Sequence, residues 1–220
     1  MKNRITSAAA AAMVPDGAVL MIGGFMGVGT PERIIDELVH LGRKDLTVIA
    51  NDTARPGIGI GKLIDARAIK KVVASHIGTN PETQRQMIAG DLEVELIPQG
   101  SLAERIRSGG HGLGGVLTET GLGTTAAKGK ATVELNGRVW LIEEAIRADF
   151  ALIAAKRADY YGNLEYALTA RNFNPIMAMA ADTVIAEPHD IVPVGAMTPD
   201  QIVTPHVVVD HLVGKEKHHG

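Results

Sequence analysis

The sequence predicts an α/β fold: an open, mostly parallel twisted sheet with helices on both faces. Short apolar runs, mostly rich in β-branched residues, alternate with amphipathic runs that each end at a glycine. That alternation implies parallel strands joined by crossover helices. A third observation modifies it. Asn136-Gly137 stands between two strand-like runs, and both central residues of the favoured two-residue hairpin take positive φ. The expected sheet is therefore mixed, with a hairpin at its edge or covering the site. At 220 residues, 45% hydrophobic and 21% charged, the chain can bury a full core, and it is expected to form one domain over residues 1–220 without repeats or linkers.

The opening MKNRITSAAAAAMVPDG has a positive start and an alanine run, but its apolar part is too weak for a signal peptide, so a first helix is expected. Strands are predicted at 18–25, 45–51, 69–76 and 92–99, and helices at 31–42, 81–90 and 101–110. Thr30 is placed to cap the first of these helices, with Pro31 at its first position and Glu32 complementing its positive end. The stretch 108–130 lacks apolar periodicity and is expected to be a long loop. Its Thr118, Thr120, Thr124 and Thr125 can bond an oxygen-rich ligand or satisfy turn backbone. Beyond the hairpin at 131–144, further strands are predicted at 148–156, 181–187 and 206–213. Pro175, after Asn174, starts a short helix.

Composition excludes several chemistries. A net charge of −3 and a pI near 6.2 give no electrostatic reason to expect nucleic acid or an acidic membrane as partner. The absence of cysteine removes disulfides, thiolate metal ligands and cysteine nucleophiles. No segment approaches the roughly 18 unbroken apolar residues of a membrane helix, and a soluble, cytoplasmic protein is expected. The eight histidines, among them His206, His211 and the pair His218-His219, have no metal-ligand spacing, and no Gly-x-Ser-x-Gly is present. No metal and no permanently bound cofactor is expected.

The densest candidate site is the loop Gly23–Gly29, between a predicted strand's carboxyl end and a helix's amino end, where open α/β sheets bind ligands. Glycines there let main-chain N–H groups approach an anion or a flat cofactor. The dinucleotide pattern fails because Glu32 stands where its third glycine belongs, and no phosphate-loop Gly-Lys-Ser/Thr follows. The loop itself leaves two readings open, a ligand cradle or a tight turn packed on the sheet. Asn51 and Gln99, each expected at a strand end on the same edge, have amides able to donate to a carboxylate or thioester oxygen, or to settle within their own loops. Among carboxylates, Asp52 sits at an expected strand end, where an Asx-turn is its commoner role; Glu82, Glu119 and Glu165 fit solvated loop glutamates.

The run Asp16-Gly17-x-x-Leu20-Met21-Ile22-Gly23-Gly24-Phe25-x-x-x-Gly29-x-Pro31 resembles the first signature of the family I CoA-transferases, in their α subunit. LTVIANDTA, ASHIGTNPET, VELIPQGSLAERIRSGG, TETGLGT, ARNFNP and VTPHVVVDH are also similar to that subunit, in order along nearly the whole chain, and IGTNPE is most similar to the acetate/acetoacetate/butyrate members. The resemblance implies a CoA-transferase-like sheet. It also implies transfer of CoA from a short-chain acyl-CoA or 3-oxoacyl-CoA to a carboxylate by ping-pong chemistry through an enzyme glutamate. In the family that glutamate lies on the β subunit in a Ser-Glu-Asn-Gly-like run. Here the corresponding place reads Asn51-Asp52-Thr53-Ala54, and no such run occurs anywhere. The implied partner is thus a β subunit carrying the nucleophile, in an α2β2 assembly, with no catalytic residue on this chain. Carried over by position, the CoA-binding loop falls on Gly23, Gly24, Phe25, Met26, Gly27, Val28 and Gly29, and coenzyme A enters as substrate. A stand-alone CoA-binding domain and a sugar-phosphate isomerase on a similar sheet are the alternatives.

Overall fold

In the computed structural model, which describes residues 1–214, the first half of the chain is a run of strand-helix units. These are β1 (Asn3–Ile5), α1 (Ser7–Met13), β2 (Val19–Ile22), α2 (Glu32–His40), β3 (Leu46–Asp52), α3 (Ile60–Asp65), β4 (Ile69–His76), α4 (Pro81–Ala89), β5 (Glu93–Leu96) and α5 (Gln99–Gly110). The second half holds β6 (Gly115–Thr118), β7 (Thr132–Leu135), β8 (Arg138–Glu144), β9 (Ala148–Asp159), β10 (Leu164–Glu165), α6 (Asn174–Met177), β11 (Ala181–Val192) and β12 (His211–Val213).

The main sheet runs β1-β12-β11-β9-β2-β3-β4-β5, with every neighbour along that path parallel, and β10 adds an antiparallel turn back onto β9. Burial on both faces explains the apolar strand runs read from the sequence. The period of two sorts them: Leu20, Ile22, Val48, Ala50, Val72 and Ala74 pack with α1, α2 and α3 on one face. The intervening Met21, Ile49 and Val73 pack with residues of α5 and α6 on the other. After β2 the chain moves outward to β3, and after β9 it moves the opposite way to β11, so strand order reverses between β2 and β9.

Asn136 and Gly137 have φ of 53° and 72°, and the hairpin β7-β8 forms as its turn residues require. It does not join the main sheet but pairs with β6 in a separate antiparallel sheet. Three expectations need correction. The stretch 108–130 is not all loop, because Gly115–Thr118 pairs with β8. The run at 206–213 starts as a 3-10 turn at His206–Val208, and only His211–Val213 is strand, paired in parallel with the N-terminal β1. At α2, Pro31 takes the cap position, Glu32 opens the helix, and Thr30 makes no capping bond.

Candidate functional site

The loop Gly23–Gly29 stands at the carboxyl end of β2, beside the point where strand order reverses. Its core is a two-residue turn. Phe25 N–H donates to the Val28 carbonyl at 2.9 Å and Val28 N–H donates back at 2.8 Å, with Met26 and Gly27 at φ of 52° and 86°. Phe25 and Val28 remain 40% and 46% exposed, whereas Gly23 and Gly24 are buried. The seven loop residues therefore divide: a ligand can reach Phe25–Gly29, while Gly23 and Gly24 answer to packing. A Cβ on Gly23 would fall on Asn174 Oδ1, and one on Gly24 would fall on Thr30 Oγ1.

A second turn, not recognised in the sequence, lies beside the first. Thirty residues on, at the end of β3, Ile58 N–H donates to the Arg55 carbonyl at 3.1 Å across Pro56 and Gly57. Pro followed by a positive-φ Gly is the pattern of a type II turn. The two turns touch, since a Cβ on Gly27 would come within 2.7 Å of Ile58 Cγ2. Ile58 is 44% exposed and extends the apolar rim of Phe25 and Val28. The repeated spacing Gly27-Val28-Gly29 and Gly57-Ile58-Gly59 was the available signal.

Buried carboxylates brace these turns. Asp52 accepts from Ala54 N–H at 2.6 Å through Oδ1, and from Met26 N–H at 3.0 Å and Asn51 Nδ2 at 2.7 Å through Oδ2. It thus makes the Asx-turn and also ties the second turn to the first. Glu187, at the carboxyl-end half of β11, accepts from the N–H groups of Arg33 and Ile34 at 3.2 and 3.0 Å, supplying the cap that α2 lacks locally. Burial pushes the Glu187 carboxyl above its ordinary range, against the opposing pull of Arg33. Beside this cap, a cavity of about 710 Å³ is lined by Gly29, Thr30, Glu32, Arg33 and Glu187, among others. The first N–H groups of α2 are therefore already used by the protein's own carboxylate.

The structure brings Asn51 and Gln99 together. Gln99 opens α5 rather than ending a strand, and its Nε2 donates to Asn51 Oδ1. Ser75 Oγ lies within hydrogen-bond reach of both Gln99 Oε1 and the Asn51 carbonyl, its one hydrogen shared between the two acceptors. Asn51 is buried and Gln99 exposed, so the pair forms a satisfied amide cluster whose open end is Gln99. Other candidates are accounted for locally. Thr118 accepts from Thr120 N–H and Thr124 from Ala126 N–H, both turn bonds. Arg85 and Gln86 hold Glu82 at a pKa of about 2. Glu165 is not a solvated loop residue but is buried in β10, and although burial raises its carboxyl, Arg157 and Lys156 outweigh that and leave it below its ordinary range. Glu119 is exposed, 4.0 Å from Arg138. His218 and His219 lie outside the described residues, among which no group of three His, Asp or Glu could hold a metal ion. No helix among them is long and apolar enough to cross a membrane.

Residues 4–215 match the family described as Coenzyme A transferase. The chain belongs to that family. Within the CoA-transferases it is an α-type subunit. It is 56% identical over 198 residues to the acetate CoA-transferase subunit alpha of Escherichia coli K12, covering 90% of each chain. It is 50% identical over 198 residues to the acetoacetyl-CoA:acetate/butyrate CoA transferase alpha subunit of Clostridium acetobutylicum, covering 90% of this chain and 91% of that one. Among solved structures, the acyl-CoA transferase of E. coli O157:H7 in its thioester complex with CoA superposes with a TM-score of 0.85 at 19% identity, a likeness of fold. This CoA-transferase chain is covered completely in that superposition but spans only 49% of the solved chain. The relatives' designation as subunits implies a heteromeric partner.

Proposed function

We propose that this chain is the non-nucleophilic half of a heteromeric, cytoplasmic short-chain CoA-transferase, assembled as α2β2, and that Phe25–Gly29 with its braced turn holds coenzyme A. A glutamate of the β subunit attacks the acyl-CoA carbonyl and expels CoA thiolate, leaving an acyl-glutamyl anhydride. The thiolate then attacks the glutamyl carbonyl, forming the enzyme thioester and releasing the carboxylate; a second carboxylate reverses both steps. The anhydride hydrolyses unless water is kept out, and the apolar rim of Phe25, Val28 and Ile58 suits that task.

The observation that carries this reading is Asp52. It is the carboxylate at the strand end where the family nucleophile stands in the other subunit, and both its oxygens are committed to N–H donors. It braces the loop and leaves the attack to another chain. Acetoacetyl-CoA, acetate and butyrate, which appear in the relatives' names, are the substrates to test. Co-expression with a protein carrying a Ser-Glu-Asn-Gly run is expected to give CoA exchange between acetoacetyl-CoA or butyryl-CoA and acetate. Borohydride trapping is expected to mark the partner alone. Turnover by this chain by itself, or a trapped glutamate or aspartate within it, would refute the assignment.

A further inference from the structure

A loop of four glycines and no charged side chain has little in itself to hold one shape, yet this one is anchored from a distant part of the chain. Asn174, at the start of α6, is 0% exposed. Its Oδ1 accepts from Ala154 N–H of β9 at 3.1 Å, and its Nδ2 donates to the Gly29 carbonyl and the Ala170 carbonyl, both at 2.9 Å. Both amide hydrogens and the amide oxygen are used. The same oxygen occupies the space a Cβ on Gly23 would need, and a Cβ on Gly29 would fall on Ala170. One carboxamide thus underlies both ends of the loop and joins β9, the loop and the turn at 168–171.

We propose that Asn174 is the positioning residue of the glycine loop, setting the single shape in which Phe25–Gly29 meets coenzyme A. The inference rests on the CoA-holding role proposed for that loop. Gly24, Gly27 and Gly29 all have positive φ, the region glycine enters readily. Unanchored, they give the loop many shapes, and ligand binding must then bear the cost of ordering them. Other side chains fail on this ground. Asp has no donor for the two carbonyls, Ser offers one hydrogen for two acceptors, and Gln adds a methylene where the amide already abuts Gly23. Fully buried beneath the loop, Asn174 acts on it without reaching its exposed side, so it positions the site rather than contacting substrate.

The test pairs Asn174→Asp and Asn174→Ser with Val72→Ala, a fully buried β4 substitution remote from the loop, in the chain assembled with its β partner. Both Asn174 variants are expected to raise KM for acyl-CoA by about tenfold. KM for the carboxylate and kcat at saturating acyl-CoA should change by less than about twofold. Val72→Ala, although destabilised, should leave KM for acyl-CoA unchanged. An unchanged acyl-CoA KM in the Asn174 variants, or an equal rise in Val72→Ala, overturns the proposal. Amide hydrogen exchange on the same proteins separates the two readings. A wild-type pair without CoA exchange counts against the transferase reading alone. Faster exchange of the 23–30 segment in the Asn174 variants, with the strands unaffected, supports the anchor; unchanged exchange there overturns it.

Discussion

Asp52→Ala removes the brace that holds the two turns together. Three donors lose their acceptor: Ala54 N–H, Asn51 Nδ2 and Met26 N–H. Ala54 and Asn51 are buried, so each loss costs about 1.5 kcal/mol, while water reaches half-exposed Met26 and lowers its share to about 0.5 kcal/mol. The sum is about 3.5 kcal/mol, or a fall in Tm of roughly 7–14 °C for a chain of this size. Asp52→Asn keeps the Oδ1 bond to Ala54 and turns an amide donor toward the other two donors, so it is expected to lose about 2 kcal/mol. Guanidinium denaturation midpoints and thermal scans of both variants measure these losses. If Asp52→Asn lies within about 0.5 kcal/mol of the wild type, the carboxylate is not the brace and its oxygens are free for another role.

Two further outcomes follow from carboxylates elsewhere. Glu187→Ala strips α2 of its distant cap and is expected to cost about 1–2 kcal/mol, measured as a lower denaturation midpoint; an unchanged midpoint would mean that solvent caps the helix equally well. Asp159 closes the β9–β10 turn. Burial raises its carboxyl, but bonds from the Asn163 side chain and from the N–H groups of Asn163, Tyr161 and Gly162 outweigh that and hold it below its ordinary value of 3.8. A lowered folded pKa stabilises the fold above the unfolded value, and that contribution is lost as pH falls through the folded value. The stability gap between wild type and Asp159→Asn should therefore be full at pH 7 and close at pH values below about 4. A gap independent of pH would contradict the assignment.

What was legible in the sequence had local causes. β-branched runs, glycine stops and Asn136-Gly137 act over a few residues, and the hairpin and most of the strands they predict are present, the exception being the run at 206–208, which is a 3-10 turn. The six-residue α3 leaves no sequence signal, because IGKLID is too short and too glycine-interrupted to show a helical period. Strands β1 and β12 have three residues each and pair with one another across a wide separation in sequence, while β10, with two residues folding back onto β9, is too short to show a period. The site divides in the same way. The exposed turn Phe25–Val28 is written in its own glycines. Asn174 reaches Gly29 across 145 residues and Glu187 reaches Arg33 across 154, relations that no local pattern encodes. Thr30 was expected as the cap because capping is ordinarily local; here a strand from the second half supplies the acceptor.

The reversal of strand order between β2 and β9 also sets a schedule for the birth of this protein. A ribosome emits β2 through β5 before β9, and those strands can begin to pair with one another. The other flank of β2 must wait for Phe150, Ala151 and Leu152, and the amide beneath its loop waits for residue 174. Until then the nascent chain carries its glycine-rich turn on an open sheet margin, apolar and unframed. His211–Val213, which follows all of these, pairs in parallel with Asn3–Ile5, so β1 waits for a partner made some two hundred residues after it.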